Sequence, residues 1–66
     1  MNMENLEKIK ELNLQYKLLR KNGMVVNIEL QTNVGVYSVR NQTVISKILD
    51  LLIRESQAQI ESEVNK

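Results

Sequence analysis

The chain contains no cysteine, no histidine and no proline, and only two glycines and two aromatic residues. Without cysteine it has no disulfide, and without cysteine or histidine it lacks the usual ligands of a structural zinc site. A domain of this length buries only about 60% of the surface of its unfolded chain, so its own core is small. These absences predict a chain that is stabilised by apolar packing alone and has a physical reason to associate with a second copy.

The same absences narrow the chemistry that the chain can perform. Serine and threonine need a nearby base to act as nucleophiles, and histidine, the usual base, is missing. No glycine-rich loop follows a predicted strand, so the P-loop and the dinucleotide-binding fingerprint are both absent. Glu4, Glu7 and Glu11 share one helix face, but a divalent oxygen site usually takes ligands from more than one segment. The sequence therefore predicts a protein that is not an enzyme and uses neither a cofactor nor a metal.

Charges and apolar runs limit the partners and the location of the protein. The net charge is +1, which is too small to predict strong attraction to a polyanion. The N-terminus has no basic segment followed by an apolar one, as a signal peptide would have. Lys47 and Asp50 interrupt the longest apolar stretch well short of the roughly 20 residues that span a membrane. We expect a cytoplasmic protein with no membrane contact.

The most apolar segment of the chain is TVISKILDLLI, from Thr43 to Ile53. On a helix with about 100° per residue, its apolar side chains cover an arc of roughly 200°. A helix that packs against one surface needs a stripe little more than about 100° wide. The sequence therefore predicts a helix with apolar surface to spare, and this surplus is the main argument for a homodimer.

We expect this second helix to run from about Thr43 to Glu61. Thr43 is a suitable N-cap, and Asp50 precedes Arg54 by four residues, the favourable order for an ion pair on one helix. After Arg54, polar residues fall on the arc that was apolar before, so the helix should leave the core there. The last positions, about residues 62–66, should fray.

A first helix is predicted from about Met3 to Lys21. One apolar stripe follows it at helical spacing, formed by Ile9, Leu12, Tyr16 and Leu19. Asn22 and Gly23 should end the helix, with Gly23 in the left-handed conformation. Leu14 and Leu18, four residues apart, lie on the other side, where they are either exposed or meet a partner.

Two strands are predicted between the helices, from Met24 to Leu30 and from Val34 to Arg40. The first alternates apolar and polar residues, and the second is rich in valine and tyrosine. Because a two-stranded hairpin is marginal in water, both helices should pack on one of its faces. The sequence predicts an α+β fold in the order α-β-β-α, as one domain over residues 1–66.

The pairing of the strands depends on the turn between them. With a turn at Thr32-Asn33, Ile28 would pair with Tyr37 and Val26 with Val39, and these residues would face the helices. A bulge at Gly35 is the alternative, and it would reverse the faces of the second strand.

Two functional hypotheses remain. The first is a small non-enzymatic interaction module, an adaptor or inhibitor of another protein, acting as a homodimer. Its candidate interface is formed by Leu14, Leu18, Leu49 and Ile53. The second is a nucleic-acid-binding or transcriptional accessory protein, with a basic line of Lys10, Lys17 and Lys21 on the first helix. Acidic residues nearly cancel the positive charge, and both tyrosines are assigned to core faces rather than to base stacking, so the sequence favours the first hypothesis.

Overall fold

The structure, a computed structural model, describes the backbone of residues 3–64 and the side chains of residues 5–64. The elements are α1 (Met3–Asn22), β1 (Ile28–Thr32), β2 (Gly35–Val39) and α2 (Gln42–Val64). The strands form an antiparallel hairpin that the helices contact, which confirms the predicted α+β class and the α-β-β-α order. Most of the tertiary contact lies between α1 and α2, which run antiparallel to each other.

The end of α1 has the predicted geometry. Gly23 has a φ of 60°, in the left-handed region that glycine adopts without steric cost. Its conformation lets the backbone N–H of Met24 donate a 3.2 Å hydrogen bond to the carbonyl of Leu19, as in a Schellman cap. The chain then continues through residues 24–27 without regular structure, so β1 begins at Ile28 and not at Met24 as predicted.

The start of α2 corrects the predicted cap. The N-cap is Asn41 and not Thr43, because the backbone N–H of Val44 donates to Asn41 Oδ1 at 3.1 Å. The first helical hydrogen bond, from the N–H of Ile45 to the carbonyl of Asn41, is 2.9 Å long. Asparagine and threonine are both good caps, and asparagine is the better one on average, so the residue type alone does not decide between neighbouring candidates.

The second half of α2 also differs from the prediction. The helix does not leave the core after Arg54, because Ser56 is only 8% exposed and Ile60 is half-buried. It extends to Val64, which places residues 62–64 of the predicted frayed tail in the helix, while the last two residues lie outside the described part of the chain. A polar residue can stay in the core here because α1 supplies a hydrogen-bond partner for it.

The predicted register of the hairpin is wrong by two residues. Ile28 pairs with Val39, and the turn residues are Asn33 and Val34. Neither has a positive φ, so this is not one of the mirror-image turns that short hairpins usually use. The Thr32 hydroxyl closes the turn instead, since it accepts a 3.2 Å hydrogen bond from the N–H of Val34 and donates a 2.8 Å bond to the carbonyl of Gly35.

The two-residue shift leaves the sorting of side chains unchanged, because strand side chains alternate with a period of two. No bulge interrupts the pairing, and Gly35 pairs with Thr32 at the end of the ladder. Its φ of 149° lies in a region that other residues rarely adopt. Gly35 is the first residue of β2 and follows the turn at Asn33-Val34, whereas the prediction placed the turn one residue earlier and therefore chose another register.

The buried apolar core of the described residues is small and lies between the helices. Ile45 is 1% exposed and Leu49 is 6% exposed. In the hairpin only Ile28 and Val39 are half-buried, and they pair at the open end next to the helices. Tyr37 was predicted to face the core, but it is 54% exposed. The helices thus contact the hairpin at its base and leave most of its surface open.

Candidate interaction surface

A buried polar contact fixes α1 against α2. Asn13 Nδ2 donates to Ser56 Oγ at 2.8 Å and to the carbonyl of Ile53 at 3.2 Å, and the Ser56 hydroxyl donates to the same carbonyl at 3.0 Å. Asn13 is 5% exposed. This pair was not predicted from the sequence, although Asn13 stands four residues after Ile9 and therefore shares the predicted core face of α1.

Two exposed contacts continue the same helix pairing towards the hairpin. Arg20 Nε lies 3.0 Å from Asp50 Oδ1, and Lys17 Nζ donates to Gln57 Oε1 at 3.4 Å. Asp50 thus pairs across the helices, whereas the sequence predicted a pair with Arg54 on the same helix. The physical reason is that α1 passes close to Asp50, which a one-helix projection does not contain.

The two sides of the helix pair differ in polarity. On one side, a polar groove is lined by Lys17, Asp50, Arg54, Gln57 and Glu61 together with Ile53 and Ala58. On the other side, Ile9, Leu12 and Tyr16 of α1 meet Leu52 of α2 across a groove of about 150 Å³. Glu55, Ser56 and Gln59 complete this second groove. The two grooves therefore differ in the residue types that line them, with charged side chains of both signs on one side and the larger apolar side chains on the other.

The second groove belongs to a larger surface that we call the apolar helix face. Its members, taken from the groove and from the turns of each helix that continue it, are Ile9, Leu12, Tyr16, Leu19, Val44, Ile48, Leu51 and Leu52. Leu12 is 48% exposed, Leu51 46% and Val44 43%. Large aliphatic side chains of this kind, clustered on one side of a monomer, mark interaction sites.

The hairpin presents a second open apolar surface. The observed strand pairing puts four apolar residues on one side of the ribbon, which we call the apolar hairpin face. They are Ile28, Leu30, Tyr37 and Val39. Glu29, Gln31, Val36 and Ser38 occupy the other side. Leu30 is 52% exposed and Tyr37 54%, so the helices of the same chain leave this face largely uncovered.

The dimensions of the chain agree with this open arrangement. It measures 37 × 30 × 15 Å and has a radius of gyration of 13.8 Å, whereas a compact domain of this length has about 11 Å. The accessible surface is 5306 Å², against about 4,300 Å² for a compact monomer of the same mass. The chain thus exposes about 1,000 Å² more surface than its size requires.

The predicted interface residues fall into three places. Leu49 was expected at the outer edge of the apolar arc, but it is part of the core, so the exposed edge is the opposite one, with Val44 and Leu51. Ile53 is half-buried beside the polar groove. Leu14 and Leu18 are 55% and 43% exposed, on the side of α1 turned away from the apolar helix face.

The predicted basic line is interrupted by other groups. Lys10 Nζ lies 3.9 Å from Glu7 Oε1, and Lys17 contacts Gln57 of α2. Lys21 is exposed near the end of α1. Lys10 thus has an acidic neighbour and Lys17 an amide neighbour.

Neither a metal-binding cluster nor a membrane-spanning helix is found in the described residues. No group of three or more histidine, cysteine, aspartate or glutamate side chains is close enough to hold a metal ion within that part of the chain. The side chain of Glu4, one of the three glutamates noted in the sequence, lies outside it. Over residues 3–64, both helices fall short of the apolar length that crossing a bilayer requires.

Comparison with known proteins gives no relative: no family model, no curated protein and no solved structure matches the chain.

Proposed function

We propose that the protein is a small non-enzymatic interaction module, of the adaptor or inhibitor type, that acts as a homodimer. The observation that carries this proposal is the apolar helix face, an aliphatic surface that the chain itself leaves open. The sequence contains no histidine or cysteine for catalysis, so binding is the activity that its residues support best.

The area of the open surface supports a second copy as the occupant of this face. A typical stable interface buries about 800 Å² on each partner. The chain exposes about 1,000 Å² beyond the surface of a compact monomer, which is enough for one such interface. A net charge of +1 also means that two copies hardly repel each other.

Small domains generally consist of two packed layers around one core. Among the described side chains, the buried apolar ones are Ile45 and Leu49, and they lie where the two helices pack side by side. The apolar helix face therefore resembles half of a core, which supports a second chain as the source of the missing layer. The wide apolar arc of α2 supports the same proposal, and its open edge is the one with Val44 and Leu51.

The test is the oligomeric state of matched leucine variants. Leu12 and Leu14 are 48% and 55% exposed on opposite sides of α1. Sedimentation velocity over a dilution series should show a wild-type dimer at micromolar concentration. Leu12→Asp should give monomers, since it buries a charge in the interface, whereas Leu14→Asp should remain dimeric. Circular dichroism of both variants checks that the helices are retained.

Three outcomes would overturn the proposal. One is a folded wild-type monomer at tens of micromolar. Another is a Leu12→Asp variant that dissociates no more than Leu14→Asp does. The third concerns the alternative function: if the wild type binds duplex DNA in physiological salt, and replacement of Lys10, Lys17 and Lys21 by glutamine abolishes that binding, the protein is a nucleic-acid-binding one.

A further inference from the structure

We propose that each copy in the dimer covers the apolar helix face of the other with its hairpin. The apolar hairpin face of one chain would pack on the apolar helix face of its partner, twice around one twofold axis. This inference rests on the homodimer proposed above and adds the element that makes the contact.

The chain carries two incomplete halves of one core. The apolar helix face lacks a covering layer, and the apolar hairpin face lacks a support. An isolated two-stranded hairpin is marginal in water, and an antiparallel sheet normally keeps one face on a core. Leu30 and Tyr37 stand at the centre of the hairpin face, yet each is more than half exposed. Joining the two halves completes a layer of helices under a layer of strands.

The position of the hairpin relative to its own helices leaves its outer part open. α2 has 23 residues, a length of about 34 Å, and the longest dimension of the chain is 37 Å. With α2 along the longest dimension, little length remains for the hairpin beyond its end, and the width of 30 Å is more than two adjacent helices occupy. Only its base, at Ile28 and Val39, is half-buried. The outer part is thus available to a second chain.

A symmetric dimer of this kind covers both open apolar faces of each chain. In a twofold interface each contact between two different surfaces occurs twice. A dimer that joined the helix faces alone would leave both hairpins exposed. The reciprocal arrangement covers the helix face and the hairpin face of each chain in one step. It also leaves Glu29, Gln31 and Ser38, on the other side of the ribbon, in water.

Because the chain contains no cysteine, a cysteine introduced for cross-linking is the only one in its protein. Two single-cysteine proteins, Tyr37→Cys and Leu52→Cys, are mixed and treated with a short bismaleimide. The control replaces Tyr37→Cys by Val36→Cys, because Val36 is adjacent, 57% exposed and on the opposite side of the ribbon. The expected result is a covalent heterodimer of the Tyr37 and Leu52 proteins, and much less product with the Val36 protein.

The same experiment separates this inference from the homodimer itself. Suppose that sedimentation shows a dimer, that two Leu52→Cys chains link to each other, and that Tyr37→Cys does not link to Leu52→Cys. The helix faces then pack on each other. The reciprocal hairpin is then wrong, and the homodimer stands. If a chain carrying both cysteines links only within itself, the hairpin covers its own helices and the inference also fails. If no dimer forms, both proposals fall.

A second measurement does not depend on cysteine geometry. Tyr37→Asp should weaken dimerisation roughly tenfold or more, because a buried tyrosine is a typical hot spot and every tenfold change corresponds to about 1.4 kcal/mol. Val36→Asp should leave the dissociation constant close to that of the wild type. Equal effects of the two variants would contradict the proposed face of the hairpin.

Discussion

The helix pair and the hairpin of this chain are stabilised very differently. The helices enclose Ile45 and Leu49 and are fixed by the buried contact of Asn13 with Ser56. The hairpin has a complete ladder between its strands, but its central residues, Leu30 and Tyr37, are more than half exposed. Regular backbone pairing therefore does not by itself indicate a stable element. The helix pair encloses buried side chains, whereas the central side chains of the hairpin are left largely uncovered by the described residues.

The largest expected difference between the two regions is in the response to truncation of apolar side chains. Ile45→Ala should lower the free energy of unfolding by about 2–5 kcal/mol, because Ile45 is 1% exposed and its loss leaves a cavity. Urea denaturation at one fixed protein concentration measures this change. Ile45→Val, at about 0.5–1.5 kcal/mol, serves as a milder variant if the alanine variant does not fold.

Val36→Ala in the hairpin is the control for that measurement. Val36 is 57% exposed on the side of the ribbon assigned to solvent, so its truncation should change the unfolding free energy by no more than about 0.5 kcal/mol. If Val36→Ala lowered the unfolding free energy as much as Ile45→Ala does, the hairpin would have a core contact of its own, and the two regions would not differ as described.

A smaller effect is expected at the polar contact between the helices. Asn13→Ala should cost about 1–3 kcal/mol, because it removes the amide that donates to both Ser56 Oγ and the carbonyl of Ile53. Replacing both partners by apolar residues, as in Asn13→Leu with Ser56→Ala, should recover part of this loss. Gln15→Ala, at an exposed position of the same helix, is the control. If the double variant loses as much stability as Asn13→Leu and Ser56→Ala lose in sum, the two residues are not energetically coupled.

The smallest effect is expected at the exposed ion pair. Arg20 and Asp50 are 44% and 59% exposed, so Arg20→Gln should cost less than about 1 kcal/mol. The difference from wild type should shrink at high salt, which screens exposed charges. Lys21→Gln removes the same charge from the neighbouring residue and is the matched control. A cost that does not change with salt would show that packing, rather than charge, links Arg20 to α2.

The element types were predictable because each has a strong local signal. The helical spacing of Ile9, Leu12 and Tyr16 predicted α1, and the left-handed Gly23 at its end was confirmed. The alternation around Ile28 and the valines of β2 predicted the hairpin. Its register was missed because the Thr32 hydroxyl closes a turn at Asn33-Val34, a contact that residue alternation does not encode.

The candidate surface was predicted only in part. The surplus of apolar residues on α2 was visible in the sequence, but its exposed edge was assigned to Leu49, which the structure places in the core. A helical projection gives the width of an apolar arc and not the direction from which the other helix approaches. That direction depends on Asn13 and Ser56, which are polar and were therefore not assigned to the core.

Composition and periodicity determine a good deal of this protein by themselves. The absence of cysteine and histidine, the α-β-β-α order and the apolar surplus of α2 all follow from residue types and from spacings of two or about 3.6 residues. The tertiary structure alone decided which part of that surplus is core and which is open. Burial is a property of contacts between residues as far apart as Asn13 and Ser56, and a local pattern contains no information about which side of a helix such a contact will occupy.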